Sequence, residues 1–243
     1  MNKPTAFVPD EHLYPAVLAL FDGQPSGKIL DAPAGQGAFT QALLQRGYTD
    51  IHCVDIIEPH QFGVQEANYL KHDVGYPLPY PDGYFDYVFS LEGIEHFDTP
   101  FTFIREICRV LKPGGKLYLS TPNTFSVDAR LKYLVSGYFP RFRGLMQEPA
   151  RVMEQTVDAA HISPIYFWQL HYFLLLGDVI IQRTSTNALL YKRQWLKRAL
   201  EQWVASIIRK NIRKRGFPDH GVTSEAVLFG DCIIIEAVKR QSR

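Results

Sequence analysis

Asp31, Asp55 and Glu92 each follow a short apolar run, and Asp73 follows Tyr69-Leu70-Lys71-His72, so each stands where a strand is expected to end. In an open α/β sheet those ends face one crevice, and ligands bind there. Asp31 precedes the tight loop Pro33-Ala34-Gly35-Gln36-Gly37. Glycines let the backbone approach a ligand closely, and the helix that follows offers unpaired N–H groups. An acid in front of such a loop suits a cationic or amine-bearing ligand better than a pyrophosphate. Asp55 lies 18 residues past Gly37, and its two oxygens can accept both hydroxyls of a ribose diol. Asp73 can accept from the exocyclic amine of a base. Each acid taken singly also fits a helix cap or a loop, but four at successive strand ends point to a site. Glu92, Glu95 and His96 are spaced i, i+3, i+4, which one face of a helical turn brings together. Two carboxylates and an imidazole can ligate a divalent cation. Without a metal, His96 is the best general base, because imidazole titrates near neutral pH. Glu95 then stands beside it as its catalytic neighbour.

Alternating strand and helix signals must position these groups, and they predict a mainly parallel sheet. Expected strands are 28–30, 51–56, 69–72, 85–91 and 116–120, with helices over 11–21, 39–46 and 101–111. Lys112-Pro113-Gly114-Gly115 should stop the third helix. Residues 124–160 read as irregular, a lid or insertion. A helix over 164–176 and a strand over 179–184 follow, and 227–238 reads as a final strand or bent strand pair around Gly230. The whole chain, 1–243, reads as one domain.

Composition narrows the classes. Hydrophobic residues make up 46% of the 243, enough for a sizeable core, and the net charge of +1 gives no global attraction to nucleic acid. Cys53, Cys108 and Cys232 are widely spaced and read as buried thiols of a reducing, cytoplasmic compartment. No signal-peptide pattern and no long apolar run appears, so no membrane span is expected.

The segments ILDAPAGQG, VDI at 54–56, HDV at 72–74, FDYVFSLEGIEHF at 85–97 and LKPGGKLYLSTPN at 111–123 together resemble class I S-adenosylmethionine-dependent methyltransferases. The resemblance implies a Rossmann-like, seven-stranded, mostly parallel sheet with helices on both faces and the last strand antiparallel. It implies a cofactor pocket along Asp31, Ala32, Pro33, Gly35, Gly37, Asp55, Ile56, Asp73, Val74, Ser90, Leu91 and Glu92. Gly35 and Gly37 would lie by the methionine part, Asp55 on the ribose and Asp73 near the adenine. Position 33 is Pro where the family usually has Gly, and proline makes the loop entry rigid. The E-x-x-E-H motif is similar to that of the ubiquinone-biosynthesis O-methyltransferases and the small-RNA 2′-O-methyltransferases. It implies Mg²⁺ or another divalent cation on Glu92, Glu95 and His96, with His161 as a fourth ligand.

Three functions fit. The first is an O-methyltransferase for a small-molecule, sugar or lipid-linked acceptor, such as one of surface-polysaccharide biosynthesis. The others are a nucleic-acid methyltransferase and a non-catalytic binding domain. One further segment bears on the choice. From Tyr191 to Arg215 the chain has nine Lys or Arg and one acid, Glu201. Trp195, Leu196, Ala199, Leu200, Trp203, Val204, Ile207 and Ile208 recur on a helical period. This basic amphipathic helix, within 188–215 and placed before the last strand, either packs on the domain or on a second subunit, or lies on the inner face of a membrane. Packing would bury both tryptophans, and that arrangement, within the protein or a homodimer, is the expected one.

Overall fold

The computed structural model describes residues 12–142, 161–191, 194–216 and 221–241. Glu11, residues 143–160 of the expected lid, and Lys192 and Arg193 of the basic segment lie outside them. Among the described residues seven strands form one sheet: β1 (Ile29–Asp31), β2 (Ile51–Asp55), β3 (Asn68–Lys71), β4 (Phe85–Leu91), β5 (Leu111–Pro122), β6 (Val179–Ser185) and β7 (Cys232–Lys239). Their order is β3-β2-β1-β4-β5-β7-β6. The first five are parallel, and β7 runs antiparallel to both β5 and β6. The expected sheet, with its antiparallel last strand, is the observed one.

Side chains alternate across the sheet. Ile29, Cys53 and Phe89 face α1 (Leu13–Phe21) and α2 (Ala38–Leu44). Leu30, Val54 and Val88 face α3 (Pro100–Val110) and α5 (Phe167–Leu176). The period of two in a strand forces this division, and helices cover both faces because each face is apolar. Phe21 anchors the first core, touching the rings of Tyr48, Tyr87, Phe89 and Tyr118 at 4.7–5.5 Å between centroids. Burying one such side chain contributes about 1.5–3 kcal/mol. Strand order reverses at β1, whose neighbours are β2 and β4. The crevice at its carboxyl end is therefore where Asp31, Asp55 and Glu92 gather.

Three elements differ from expectation. The stretch read as irregular holds a helix, α4 (Val127–Ser136). Ser126 Oγ accepts from Ala129 N at 3.1 Å, and Gly137 closes the other end at φ 79°. The start of the expected final strand is instead a short helix, α7 (Glu225–Phe229), capped by Ser224. Asn123 Nδ2 donates to Val227 O and Gly230 O, both at 2.9 Å, and fixes that turn. β5 also starts earlier than read, running through Pro113-Gly114-Gly115 from Leu111.

The basic segment forms α6 (Trp195–Lys214), but its docked side is not the one expected. Glu201 and Ala205 are buried, and Val204 and Ile208 pack with Val127 and Leu131 of α4 and Leu228 of α7. Trp195 and Trp203 are 75% and 63% exposed. The narrow face that carries Ala205 fits against α4, and the tryptophans lie on the other side of the helix.

Candidate active site

The loop after β1 is organised by Asp55. Its Oδ2 accepts from Gly35 N at 2.7 Å, and its Oδ1 accepts from Ile56 N at 2.8 Å and Ile57 N at 3.3 Å. Burial raises the Asp55 carboxyl above the ordinary range, and the three backbone donors partly offset this. A carboxylate has four lone-pair sites and three are taken, so one, on Oδ2, remains for a ligand rather than the pair expected for a diol. Gly35 has φ 54° and open space where a side chain would stand, whereas Gly37 at φ 90° sits against Phe62 and Val64. Gly35 thus has free space in front of it, where the expected ligand would stand, and Gly37 is required by packing. The Ala32–Pro33 peptide is cis, and Pro33 lies against Gly93, where an added Cβ would come within 2.4 Å of Pro33 Cγ.

Asp31 is buried and accepts from Thr40 Oγ1 at 2.7 Å. Burial pushes it up to about 7, and neighbouring Asp55 adds to the shift. Tyr14, on α1, is held protonated first by burial and then by Asp31 and Glu92 close by. Ala32 and Val74 are buried, and Ser90 is buried with no hydrogen-bond partner for its Oγ. Leu91 and Ile56 flank the crevice half-buried. Asp73 is exposed, and its Oδ1 accepts from Gly75 N at 2.9 Å.

The E-x-x-E-H residues do not share one face. Glu92 has φ 48° and precedes a 3-10 turn, Ile94–His96, so helical spacing does not apply to it. Its Oε1 accepts from Ser120 Oγ at 3.1 Å, and Oε2 meets Arg141 Nη1 at 3.4 Å. Glu95, His96 and His161 do come together, with one donor atom of each within 4.8 Å of the others. Of the four side chains expected to gather, three stand close together, and Glu92 turns toward Ser120 and Arg141 instead. Glu95 is fully buried, and burial, then Glu92 nearby, raises its carboxyl well above the ordinary range. Its Oε2 accepts from Thr121 Oγ1 at 3.2 Å, while Oε1 lies 4.0 Å from His161 Nε2. Ile162 N and Ser163 N both donate to Glu95 O, at 3.0 and 2.9 Å, which holds His161 over the turn. The rings of His96 and His161 meet edge to face at 4.8 Å.

Arg141 escaped the sequence reading. It joins Glu92, Asp231 and Cys232 from three parts of the chain. No motif marks it, because only the tertiary fold brings those partners together.

Comparison with known proteins decides what this crevice belongs to. Residues 30–119 match the family described as "Methyltransferase domain". Residues 30–119 are thus a methyltransferase domain, and the sheet has the fold of the S-adenosylmethionine-dependent methyltransferases. A ubiquinone biosynthesis O-methyltransferase of Pseudomonas aeruginosa is 32% identical over 112 residues, covering 42% of this chain and 47% of the relative. A demethylmenaquinone methyltransferase of Corynebacterium kroppenstedtii is 33% identical over 104 residues, covering 42% and 45%. The chain thus spans about half the length of these curated relatives. The structure of 1,6-didemethyltoxoflavin-N1-methyltransferase from Burkholderia thailandensis, with S-adenosylhomocysteine bound, superposes with a TM-score of 0.53. It is 16% identical and covers 96% of this chain and 80% of its own, a likeness of fold.

The two glycines of this methyltransferase loop should respond differently to alanine. A left-handed non-glycine residue costs about 1–2 kcal/mol. Gly35→Ala should lose roughly that much stability and weaken S-adenosylhomocysteine binding, since the new methyl enters open space. Gly37→Ala should lose more stability, because its Cβ would stand 2.7 Å from Val64 Cγ2. Thermal melts with calorimetry separate the two. Unchanged affinity in Gly35→Ala contradicts a ligand standing in that space.

Proposed function

We propose that the protein transfers a methyl group from S-adenosylmethionine to a hydroxyl of a small-molecule, sugar or lipid-linked acceptor. The observation that carries this reading is the Glu95–His96–His161 cluster directly beyond the carboxyl end of β4, next to the Gly35–Asp55 loop. The residues present fit the cofactor: Gly35 leaves room, Asp55 keeps acceptor capacity, and buried Asp31 is a counter-charge for a cation. When bound, S-adenosylmethionine supplies an electrophilic methyl on a sulfonium.

His96 takes the proton of the acceptor hydroxyl as its oxygen gains the methyl, so no alkoxide has to form free in solution. His161, edge-on to His96 and near Glu95 Oε1, steadies the imidazolium that results. Glu95 contributes from beneath, through its position against both histidines. The O-methyltransferase name printed for the Pseudomonas relative supports oxygen as the accepting atom.

The same three side chains favour a second reading, in which they hold a divalent cation that binds the acceptor oxygen. The donor chemistry fits. Ligands at about 2.1 Å from one Mg²⁺ stand no more than about 4.2 Å apart, so the 4.8 Å spread must close slightly around the ion. Transfer of labelled methyl to phenolic and sugar hydroxyls, with and without EDTA, tests both readings. Loss with EDTA and recovery with Mg²⁺ establishes the metal, and full activity in excess EDTA removes it. Protein that binds S-adenosylhomocysteine yet labels only carbon or nitrogen acceptors contradicts hydroxyl methylation.

A further inference from the structure

We propose that the outward face of α6 docks this protein onto the surface of an anionic lipid bilayer. The inward face is already used: Ala205 and Glu201 are buried against the domain, with Val204 and Ile208 beside them. A helix turns 100° per residue, which sets Trp195, Leu196 and Trp203 across the helix from that contact and Leu200 and Ile207 on the flank between. Leu196, Leu200, Trp203 and Ile207 alternate spacings of four and three, a continuous stripe. All five are exposed, from 40% at Ile207 to 75% at Trp195. A monomer seldom leaves such a stripe to water unless it meets something.

Charge identifies the occupant. The stripe continues at the same spacing into Lys210 and Lys214, with Arg213 alongside. The single acid of α6, Glu201, is buried on the inward face. The outward side therefore offers cations and no carboxylate to pair with them. A second copy of this helix would bring like charge without a partner. A nucleic acid would meet the cations but leave the tryptophans and leucines unburied. An anionic bilayer satisfies both, taking Trp and Leu side chains at the headgroup boundary and attracting Lys and Arg. Among the described residues no helix is long and apolar enough to cross a membrane, so α6 would lie along the surface.

The surface also lies near the site. α6 packs on α4 through Val127 and Leu131. Just past that contact, Tyr133 of α4 stacks on Phe139 at 4.5 Å, and Phe142 meets His161 edge-on at 5.4 Å. Leu134 and Val135, on the same turn, are more than three-quarters exposed. A chain of packed rings thus links the helix that α6 rests on to the histidine cluster. The proposal rests on the methyl-transfer reading only for its purpose, which is to deliver a lipid-linked acceptor.

The test is sedimentation of the full-length chain with vesicles of phosphatidylglycerol and phosphatidylcholine, compared with phosphatidylcholine alone. Binding should need phosphatidylglycerol and should fall between about 0.1 M and about 1 M salt, as screening shortens. Replacing Lys210 and Lys214 by glutamine should lower the partition coefficient about 25-fold, at about fivefold per cation. Trp195→Ala with Trp203→Ala should lower it by about tenfold or more. All these residues are exposed, so melting temperature and S-adenosylhomocysteine affinity should stay at the parent values. Absence of pelleting in protein that binds S-adenosylhomocysteine overturns the docking proposal while leaving methyl transfer standing. So does a dimer in the ultracentrifuge that the tryptophan variants dissolve, or binding to RNA in preference to vesicles. Failure to bind S-adenosylhomocysteine with vesicle binding intact overturns only the enzymatic reading.

Discussion

His96→Ala is expected to lower methyl transfer by about 10²–10⁴-fold, the usual cost of losing a general base, with S-adenosylhomocysteine affinity unchanged. The turn that carries His96 is fixed by its backbone, with His96 N donating to Gly93 O at 3.0 Å. Its ring meets that of His161 edge to face at 4.8 Å, and the loop around Gly35 is held by Asp55. Removal of the imidazole therefore leaves the loop, Asp55 and the crevice intact. A fall in turnover with unaltered binding and melting temperature is the signature of a group that acts on the acceptor. His96→Gln, which keeps bulk and polarity but cannot serve as the base, should be about as inactive. Full activity of either variant on the true acceptor would falsify the base assignment. Loss of cofactor binding together with activity would show that His96 supports the fold of the turn instead.

Asp55→Ala should weaken S-adenosylhomocysteine binding by about 10–10²-fold. A hydrogen bond to a charged group is worth about 1.5–3 kcal/mol, and the ribose would lose the one that Asp55 Oδ2 has room to accept beside Gly35 N. The variant also loses the acceptor for Gly35 N, Ile56 N and Ile57 N, so the loop relaxes and some stability goes with it. Asp55→Asn separates these effects. Its remaining oxygen can still accept from one side of the loop, so stability should recover more than affinity does. pH supplies a second check. The folded-state pKa of Asp55 is raised, and only the ionised form keeps every acceptor site open. Affinity should therefore decline on acidification sooner than an ordinary aspartate would dictate. Calorimetry across pH on well-folded protein reads all of this. Wild-type affinity in Asp55→Ala would remove Asp55 from the cofactor site.

The cofactor half of the molecule was legible because its signals are local. Apolar runs ending in an acid marked β1, β2 and β4, Asp73 marked the end of the short β3, and Gly35 announced the turn after β1. What failed depended on distant partners or on one backbone angle. Glu92, Glu95 and His96 look like one helical face, yet Glu92 sits at φ 48° and turns toward Ser120 and Arg141. Arg141 had no signal, since Asp231 and Cys232 reach it only through the sheet. α4 and α7 did carry signals, Ser126 and Ser224 before short apolar segments, and these caps were readable but brief. For α6 the period was correctly read as amphipathic. Periodicity alone could not say which stripe meets the protein, because small Ala205 and buried Glu201 make a less apolar docking face than the tryptophans.

The connection between β6 and β7 closes on itself. Leu190 N donates to Phe229 O at 2.7 Å, Asp231 N donates to Ala188 O at 3.0 Å, and Leu189 pairs with Gly230. Everything between, α6 and α7 included, leaves and re-enters the sheet through this narrow neck, outside the matched span of residues 30–119. Once a neck is pinned, the entropy of closing a loop grows only slowly with its length, about 0.6 kcal/mol for each doubling. Val222 and Val227 still belong to the main core, with Ile212 packed against it. What can be rewritten at small cost is therefore the outward surface of α6, whose side chains hold nothing in the sheet, so a change there need not disturb the strands that frame the crevice.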